Sequence, residues 1–194
     1  MDFNWSFIQT PNFDIYFYGE NQDLAEFTSK VSEDAYKQIS THLAWDLKNR
    51  VSILVYNSHN DFQQTNVVDP YMSEGIGGVT ELFKNRIVFP FDGDFEQFRH
   101  VIHHELVHAM LNDMIYGGRA QIMVASRTRV RIPLWANEGL AEFLSSNWDT
   151  KADMILRDIA VHERMPTINA IQNGTPRSTA SALINPAPTT TNAG

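Results

Sequence analysis

The sequence contains no cysteine, which excludes disulfide scaffolds, thiolate metal sites and cysteine nucleophiles. It also has no apolar run that approaches the roughly 18 residues needed for a membrane-spanning helix. Basic residues are few, because 15 Lys and Arg stand against 23 Asp and Glu, for a formal net charge of -8. This balance argues against a nucleic-acid partner, since a surface that binds polyanions carries a basic stripe.

The residues that are present predict a folded domain. The chain has 194 residues, of which 43% are hydrophobic and 11% aromatic, enough to bury a real core. Its first residues, MDFNWSFIQT, have neither the basic nor the apolar region of a signal peptide, so any leader is expected to be absent or already removed. The segment 173–194 is rich in Pro, Thr, Ser, Ala and Asn, and this composition predicts a disordered tail.

Hydrophobic periodicity predicts a mixed α+β fold. Alternating patterns indicate strands, and apolar residues repeated at three- and four-residue spacing indicate helices. The segment SHNDFQQTN resembles a short capped helix, in which His59 is a turn or cap residue. Strands are predicted at Phe13–Gly19 and Val51–Asn57, and longer helices at Asp23–Leu43, Phe95–Ile115, Leu134–Ser146 and Lys151–Arg164.

Two short strands are also predicted, in GIGGVTEL and RIVFPF, with a polar turn at Lys84-Asn85 between them. The second segment, Arg86–Phe91, contains Pro90. Because proline cannot donate a hydrogen bond to a neighbouring strand, this segment is expected at the edge of the sheet.

Four of the seven histidines lie in one helical segment, FRHVIHHELVHAML. A helix turns by about 100° per residue, so His104 and His108 lie on one face, one turn apart. Glu105 flanks the same face. This H-E-x-x-H pattern offers two imidazole ligands and a general base for hydrolysis at zinc. The alternative is that both histidines are core residues of an amphipathic helix.

The neighbouring histidines are weaker candidates. His103 lies off the face of His108, and His100 lies one turn before His104, where it could pack, cap or support the site. A catalytic zinc needs a third protein ligand, and the next long helix, PLWANEGLAEFL, offers Glu138 and Glu142 one turn apart.

The segment HELVH, followed downstream by WANEGLAEF, resembles the gluzincin metallopeptidases, in which a later helix supplies a glutamate ligand. More narrowly, TPNFDIYFY, YNSHNDFQQTN, FRHVIHHELVHA and LWANEGLAEF resemble the peptidase-MA-like domain at the N-terminal end of bacterial envelope proteins that continue into a β-propeller. The similarity covers Phe3 to Ile168. The third ligand of the metzincins is absent, because Leu111 and Met114 occupy the positions that would need Gly and His.

The resemblance implies a zincin-like fold, with a small mixed sheet whose edge strand lies beside the H-E-x-x-H helix, and a second helix that bears glutamates. It implies zinc-dependent hydrolysis of a peptide or protein substrate, with one Zn²⁺ per chain bound by His104, His108 and Glu138. Glu105 would be the general base, and Glu142 would orient the first histidine, although Glu142 could itself be the ligand.

A substrate peptide would add as a strand to the exposed edge, where two glycines permit close backbone approach. The alternative for these residues is an ordinary hairpin. His162, in AVHERMPTI, is the candidate donor to the oxyanion of the transition state. The expected substrate-binding residues are Gly77, Gly78, Arg86, Ile87 and Val88.

The resemblance further implies that residues 1–172 form one catalytic domain without its later helices, that a β-propeller follows in longer relatives, and that the location is the cell envelope or outside the cell. Two other functions remain open. One is a zinc-retaining, non-catalytic module for peptide binding or envelope assembly, and the other is a zinc hydrolase that acts on substrates other than peptides. Three apparent ligands and a retained Glu105 favour catalysis, because structural zinc sites are usually closed by four protein ligands.

Overall fold

The computed structural model describes residues 4–63, 78–81, 85–116, 132–146, 150–163, 165–167 and 170–171. The chain forms two compact units, Met1–Val130 and Arg131–Gly194. The prediction of one domain over residues 1–172 stays a prediction. Gly77, the Gly117-Gly118 helix stop and the tail at 173–194 lie outside the described residues.

The first unit contains a five-stranded mixed sheet, which confirms the α+β class. The strand order is β1-β2-β3-β5-β4. The central pairs β2–β3 and β3–β5 are parallel, whereas β1–β2 and β4–β5 are antiparallel. The first strand was not predicted. The strands are β1 (Trp5–Gln9), β2 (Phe13–Tyr18), β3 (Val51–Tyr56), β4 (Val79–Glu81) and β5 (Arg86–Pro90).

Three helices accompany this sheet: α1 (Gln22–Leu43), α2 (His59–Gln63) and α3 (Phe95–Tyr116). All three lie where the periodicity predicted them. The long helix α1 connects the parallel strands β2 and β3, and it ends where Ala44 adopts a left-handed conformation with φ of 49°. Helices α1 and α3 pack against each other, and both also contact the sheet.

The core of the first unit lies between these helices and the sheet. Alternate side chains of β2 and β3 are buried, as expected for strands whose side chains on one face pack against helices. The C-terminal part of α3 is fixed by Asp113, whose Oδ2 accepts hydrogen bonds from Trp45 Nε1 at 3.0 Å and from Lys48 N at 3.2 Å. The core therefore holds α3 in place along its length.

The prediction that Arg86–Phe91 forms an edge strand is wrong. Strand β5 lies between β3 and β4, and β4 ends the strand order of the described sheet. Pro90 is tolerated because backbone N–H groups alternate in direction along a strand. Phe91 N points to β3, where it donates to Tyr56 O at 2.8 Å, so the missing N–H of Pro90 faces the other side. There the register with β4 ends at Val88.

The turn before β5 has the polar residue that its geometry requires. Asn85 has a positive φ of 49°, a conformation that asparagine tolerates better than most residues. Its side-chain Nδ2 donates to Arg50 O at 2.9 Å, and its own carbonyl accepts from Ser52 N at 3.3 Å. These bonds attach the β4–β5 hairpin to the start of β3.

The second unit contains two described helices of similar length, α4 (Leu134–Ser145) and α5 (Thr150–Val161), close to the predicted bounds. Helix α4 begins after Pro133, whose carbonyl accepts from the backbone N–H groups of Ala136 and Asn137. In the part of the chain that the structure describes, no helix is both long and apolar enough to cross a membrane.

Candidate metal centre

The side chains of His104 and His108 lie close together near the middle of α3. Their Nε2 atoms are 3.2 Å apart, and the ring centroids are 4.9 Å apart with an interplanar angle of 81°. His108 is buried, with 9% of its surface exposed, and His104 is partly buried. The helical spacing therefore does bring the two rings together, with Nε2 of one close to Nε2 of the other.

This distance fits a shared zinc ion. Two nitrogens bound to one tetrahedral zinc at about 2.0–2.1 Å each lie about 3.3 Å apart. Metal binding through both Nε2 atoms requires that each ring carry its proton on Nδ1. The same distance also allows one ring to donate a hydrogen bond to the other, which is the alternative for a purely structural pair.

The other two histidines of α3 differ from this pair. His103 Nδ1 donates to Arg99 O at 3.1 Å, one turn earlier in the same helix. Burial lowers the pKa of His103 below its usual value of 6.5, so that its neutral form is favoured. The His100 ring lies next to His104, with 6.1 Å between centroids. In the first unit, the geometry thus supports His104 and His108 as the ligand pair.

Glu105 is held by β4. Thr80 Oγ1 lies 2.6 Å from Glu105 Oε2 and 3.1 Å from the backbone oxygen of the same residue. Thr80 is not among the residues predicted from the sequence. No local signal could have found it, because the contact joins residues 25 positions apart. The carboxylate of the expected general base consequently has a hydroxyl partner supplied by the sheet.

Gly78 lies close to the side chain of Glu105. A Cβ atom at this position would be 2.8 Å from Phe89 Cδ1, which is closer than real Cβ contacts, and 3.0 Å from Glu105 Cγ, which is tighter than most of them. A side chain therefore does not fit at Gly78, because the backbone just before β4 passes too near the buried Phe89 ring. Its expected role in substrate binding stays a prediction.

The other expected substrate-binding residues lie in β5. Ile87 and Val88 are fully buried and Arg86 is partly buried. Since β5 pairs with β3 along its length and with β4 from Arg86 to Val88, its backbone there has no open edge. A peptide cannot add to this strand in the way that the sequence predicted.

The two candidate glutamates lie one turn apart on α4, in the second unit, and both are partly buried. Glu142 Oε1 accepts a hydrogen bond from Ser146 Oγ at 2.9 Å, just past the end of the helix. A Cβ atom added at Gly139, between the two glutamates, would meet no described atom within 4 Å. Either glutamate offers a carboxylate oxygen as a ligand atom.

His162 is exposed near the C-terminal end of α5. Its Nδ1 donates to the backbone oxygen of Asp158 at 2.8 Å and lies 3.2 Å from the carboxylate of the same residue. The described contacts of its Nδ1 are thus with α5 itself. Its role as an oxyanion donor stays a prediction.

Comparisons with protein-family models, with curated proteins and with solved structures found no match.

Proposed function

We propose that this chain is a zinc-dependent peptide hydrolase of the gluzincin type. The observation that carries the proposal is the 3.2 Å approach of the two Nε2 atoms on α3, together with the hydrogen bond by which Thr80 holds the carboxylate of the intervening Glu105. A pair of core histidines needs neither an adjacent carboxylate nor a hydroxyl that orients it.

His104, His108 and Glu138 would hold the ion. Two nitrogens and one carboxylate oxygen form a donor set that zinc accepts, and three protein ligands leave one position open. The prediction of Glu138 rests on its Asn-Glu-Gly setting and on the resemblance to gluzincins. Glu142, which accepts from Ser146, would orient His104 through a hydrogen bond.

Zinc, when bound, supplies a Lewis acid that polarises a carbonyl group and acidifies water. Glu105 would take one proton from the attacking water and return it to the leaving amine, so that the peptide bond is replaced by a carboxylate and a free amine. The partial burial of Glu105 limits the water that competes for this proton.

The substrate strand would add to β4 rather than to β5. Within the described sheet β4 ends the strand order, and Thr80 of the same strand contacts the base. An extended peptide paired with β4 would therefore run alongside α3, near Glu105.

The test combines metal analysis with a peptide-library assay on the full chain. We expect about one zinc per chain, cleavage that a chelator abolishes, and recovery when zinc is restored. Glu105→Gln should retain zinc and the fold but lose hydrolysis, because an amide cannot accept the proton of the water. Glu26→Gln, an exposed change on α1, is the matched control and should cleave like the parent.

Two outcomes would contradict the proposal. Hydrolysis by Glu105→Gln at the rate of the parent would exclude this residue as the base. Zinc binding without cleavage of any peptide would instead favour the non-catalytic binding or assembly module, and cleavage of non-peptide esters or amides alone would favour another class of zinc hydrolase.

A further inference from the structure

The contact between Thr80 and Glu105 offers the hydroxyl proton two acceptors. Thr80 Oγ1 lies 2.6 Å from Glu105 Oε2 and 3.1 Å from Glu105 O. A threonine hydroxyl has one proton and donates it to one acceptor at a time. Bonds from a hydroxyl to a carboxylate are the strong ones, with lengths of about 2.5–2.7 Å. The carboxylate is therefore the preferred acceptor.

The backbone at Gly78 restricts the side chain of Glu105 at a second point. Gly78 directly precedes β4 and lies two residues before Thr80, so in an extended backbone the two positions face the same side. At Gly78 the backbone passes so close that an added Cβ would lie 3.0 Å from Glu105 Cγ. Glu105 is thus restricted near its Cγ by Gly78, just before β4, and at its carboxylate by Thr80 of β4.

We propose that Thr80 is the positioning residue for the general base, an inference that rests on the proposed function of Glu105. By donating to Oε2, Thr80 fixes the rotamer of the carboxylate and leaves Oε1 to take the proton from water. A catalytic group held by a second residue is correctly placed before the substrate arrives, and misplacement of about 1 Å can cost on the order of 10²-fold in rate.

A simpler role would be that Thr80 only anchors β4 to α3 through the backbone oxygen of Glu105. The two roles predict different effects of removing the carboxylate. If Thr80 donates to Oε2, its hydroxyl no longer contributes to stability when the side chain of Glu105 is truncated. If it donates to the backbone oxygen, its contribution to stability is the same with or without that side chain.

The kinetic test uses the zinc-loaded full chain. Thr80→Val keeps the shape of the side chain but removes the donor, and should lower kcat by up to about 10²-fold with little change in KM. Thr80→Ser keeps the donor and should restore most of the lost rate. The matched control is Thr28→Val, which removes a buried hydroxyl that donates to Leu24 O within α1 and should leave kcat unchanged. A Thr80→Val enzyme with the kcat of the parent would overturn the proposal.

The second test needs neither zinc nor hydrolysis. Thr80→Val is measured by thermal unfolding, in the presence of a chelator, in the parent and in a Glu105→Ala background. We expect the Tm to fall by about 5 °C in the parent and to change little in Glu105→Ala. Equal falls in both backgrounds would show that the hydroxyl serves the backbone oxygen and would overturn the proposal. This result does not depend on catalysis, so it decides whether Thr80 holds the carboxylate even if the parent cleaves no peptide. Absence of cleavage would contradict only the proposed function.

Discussion

At the residue scale, the proposed zinc site depends on which of two carboxylates on α4 binds the ion. Glu138 and Glu142 are both partly buried, and Glu142 has a described hydrogen bond from Ser146 Oγ. A hydrogen bond from a serine hydroxyl is found both on carboxylates that bind a metal and on carboxylates that orient a metal ligand. Burial alone therefore does not separate the two roles.

We expect Glu138→Ala to reduce bound zinc far below one ion per chain, because a ligand is lost. Glu142→Gln should weaken zinc binding by only about 10- to 100-fold, the usual effect of removing an orienting partner. The measurement is a competition titration against a chromogenic chelator. His42→Ala, an exposed histidine on α1, controls for zinc bound at surface imidazoles and should bind like the parent. A greater loss in Glu142→Gln than in Glu138→Ala would mean that the two roles are exchanged.

At the scale of secondary-structure elements, α2 is attached to the sheet by Tyr18 of β2. The Tyr18 hydroxyl donates to Asp61 Oδ2 at 2.6 Å and accepts from Asn57 N at 3.0 Å. Burial, followed by the hydrogen bond to Asp61, raises the pKa of Tyr18 to about 12. The folded protein thus keeps this proton at a pH where the unfolded chain, with a tyrosine pKa near 10, releases it.

Tyr18→Phe should therefore destabilise the protein in a pH-dependent way. Around pH 8 we expect the free energy of unfolding to fall by about 1–3 kcal/mol, because Asp61 and Asn57 lose their partner. The difference from the parent should shrink as pH rises from about 10 to 12, because only the parent has this tyrosine to ionise on unfolding. Urea unfolding of both proteins across this range gives the measurement. A difference that stays constant would contradict the raised pKa.

Tyr16→Phe is the matched control for that series. Tyr16 lies on the same strand, is only partly buried, and has a ring contact with the exposed Phe7 on β1. Its substitution should cause a smaller loss of stability than that of Tyr18.

At the scale of the whole molecule, zinc binding at the proposed ligands is coupled to folding, because an ion that binds only the folded chain shifts the unfolding equilibrium. Zinc that binds only the folded chain should stabilise it by about 2.7 kcal/mol at a free concentration 100 times the Kd. For a chain of this length, that corresponds to a rise in Tm of roughly 5–10 °C.

Thermal unfolding with zinc and with a chelator measures this shift. We expect Glu138→Ala and His108→Ala to lose most of the zinc-dependent rise. A parent whose Tm does not respond to zinc would contradict a site built from the folded chain. A rise that survives in Glu138→Ala but not in His108→Ala would exclude Glu138 as a ligand.

Much of the fold follows from local patterns. The periodicity that predicts α1 and α3 reflects the burial of one helix face, and the alternation in β2 and β3 reflects the opposite directions of successive side chains. These are short-range properties, so the bounds agree with the structure to within one or two residues. The proximity of His104 and His108 is also a short-range property, because one turn of a helix alone brings their rings together.

The tertiary structure decided what depends on pairing between distant segments. Pro90 indicates correctly that one side of β5 lacks a donor at that position, but the strand is internal because β4 pairs with it from Arg86 to Val88. Thr80 became part of the site in the same way, since only the β4–β5 pairing places its hydroxyl against Glu105. The sequence by itself determined the helix that carries the H-E-x-x-H residues and the chemistry they offer. Strand order and the partner of the base were decided only by the fold, because they depend on the register between strands rather than on the residues within one.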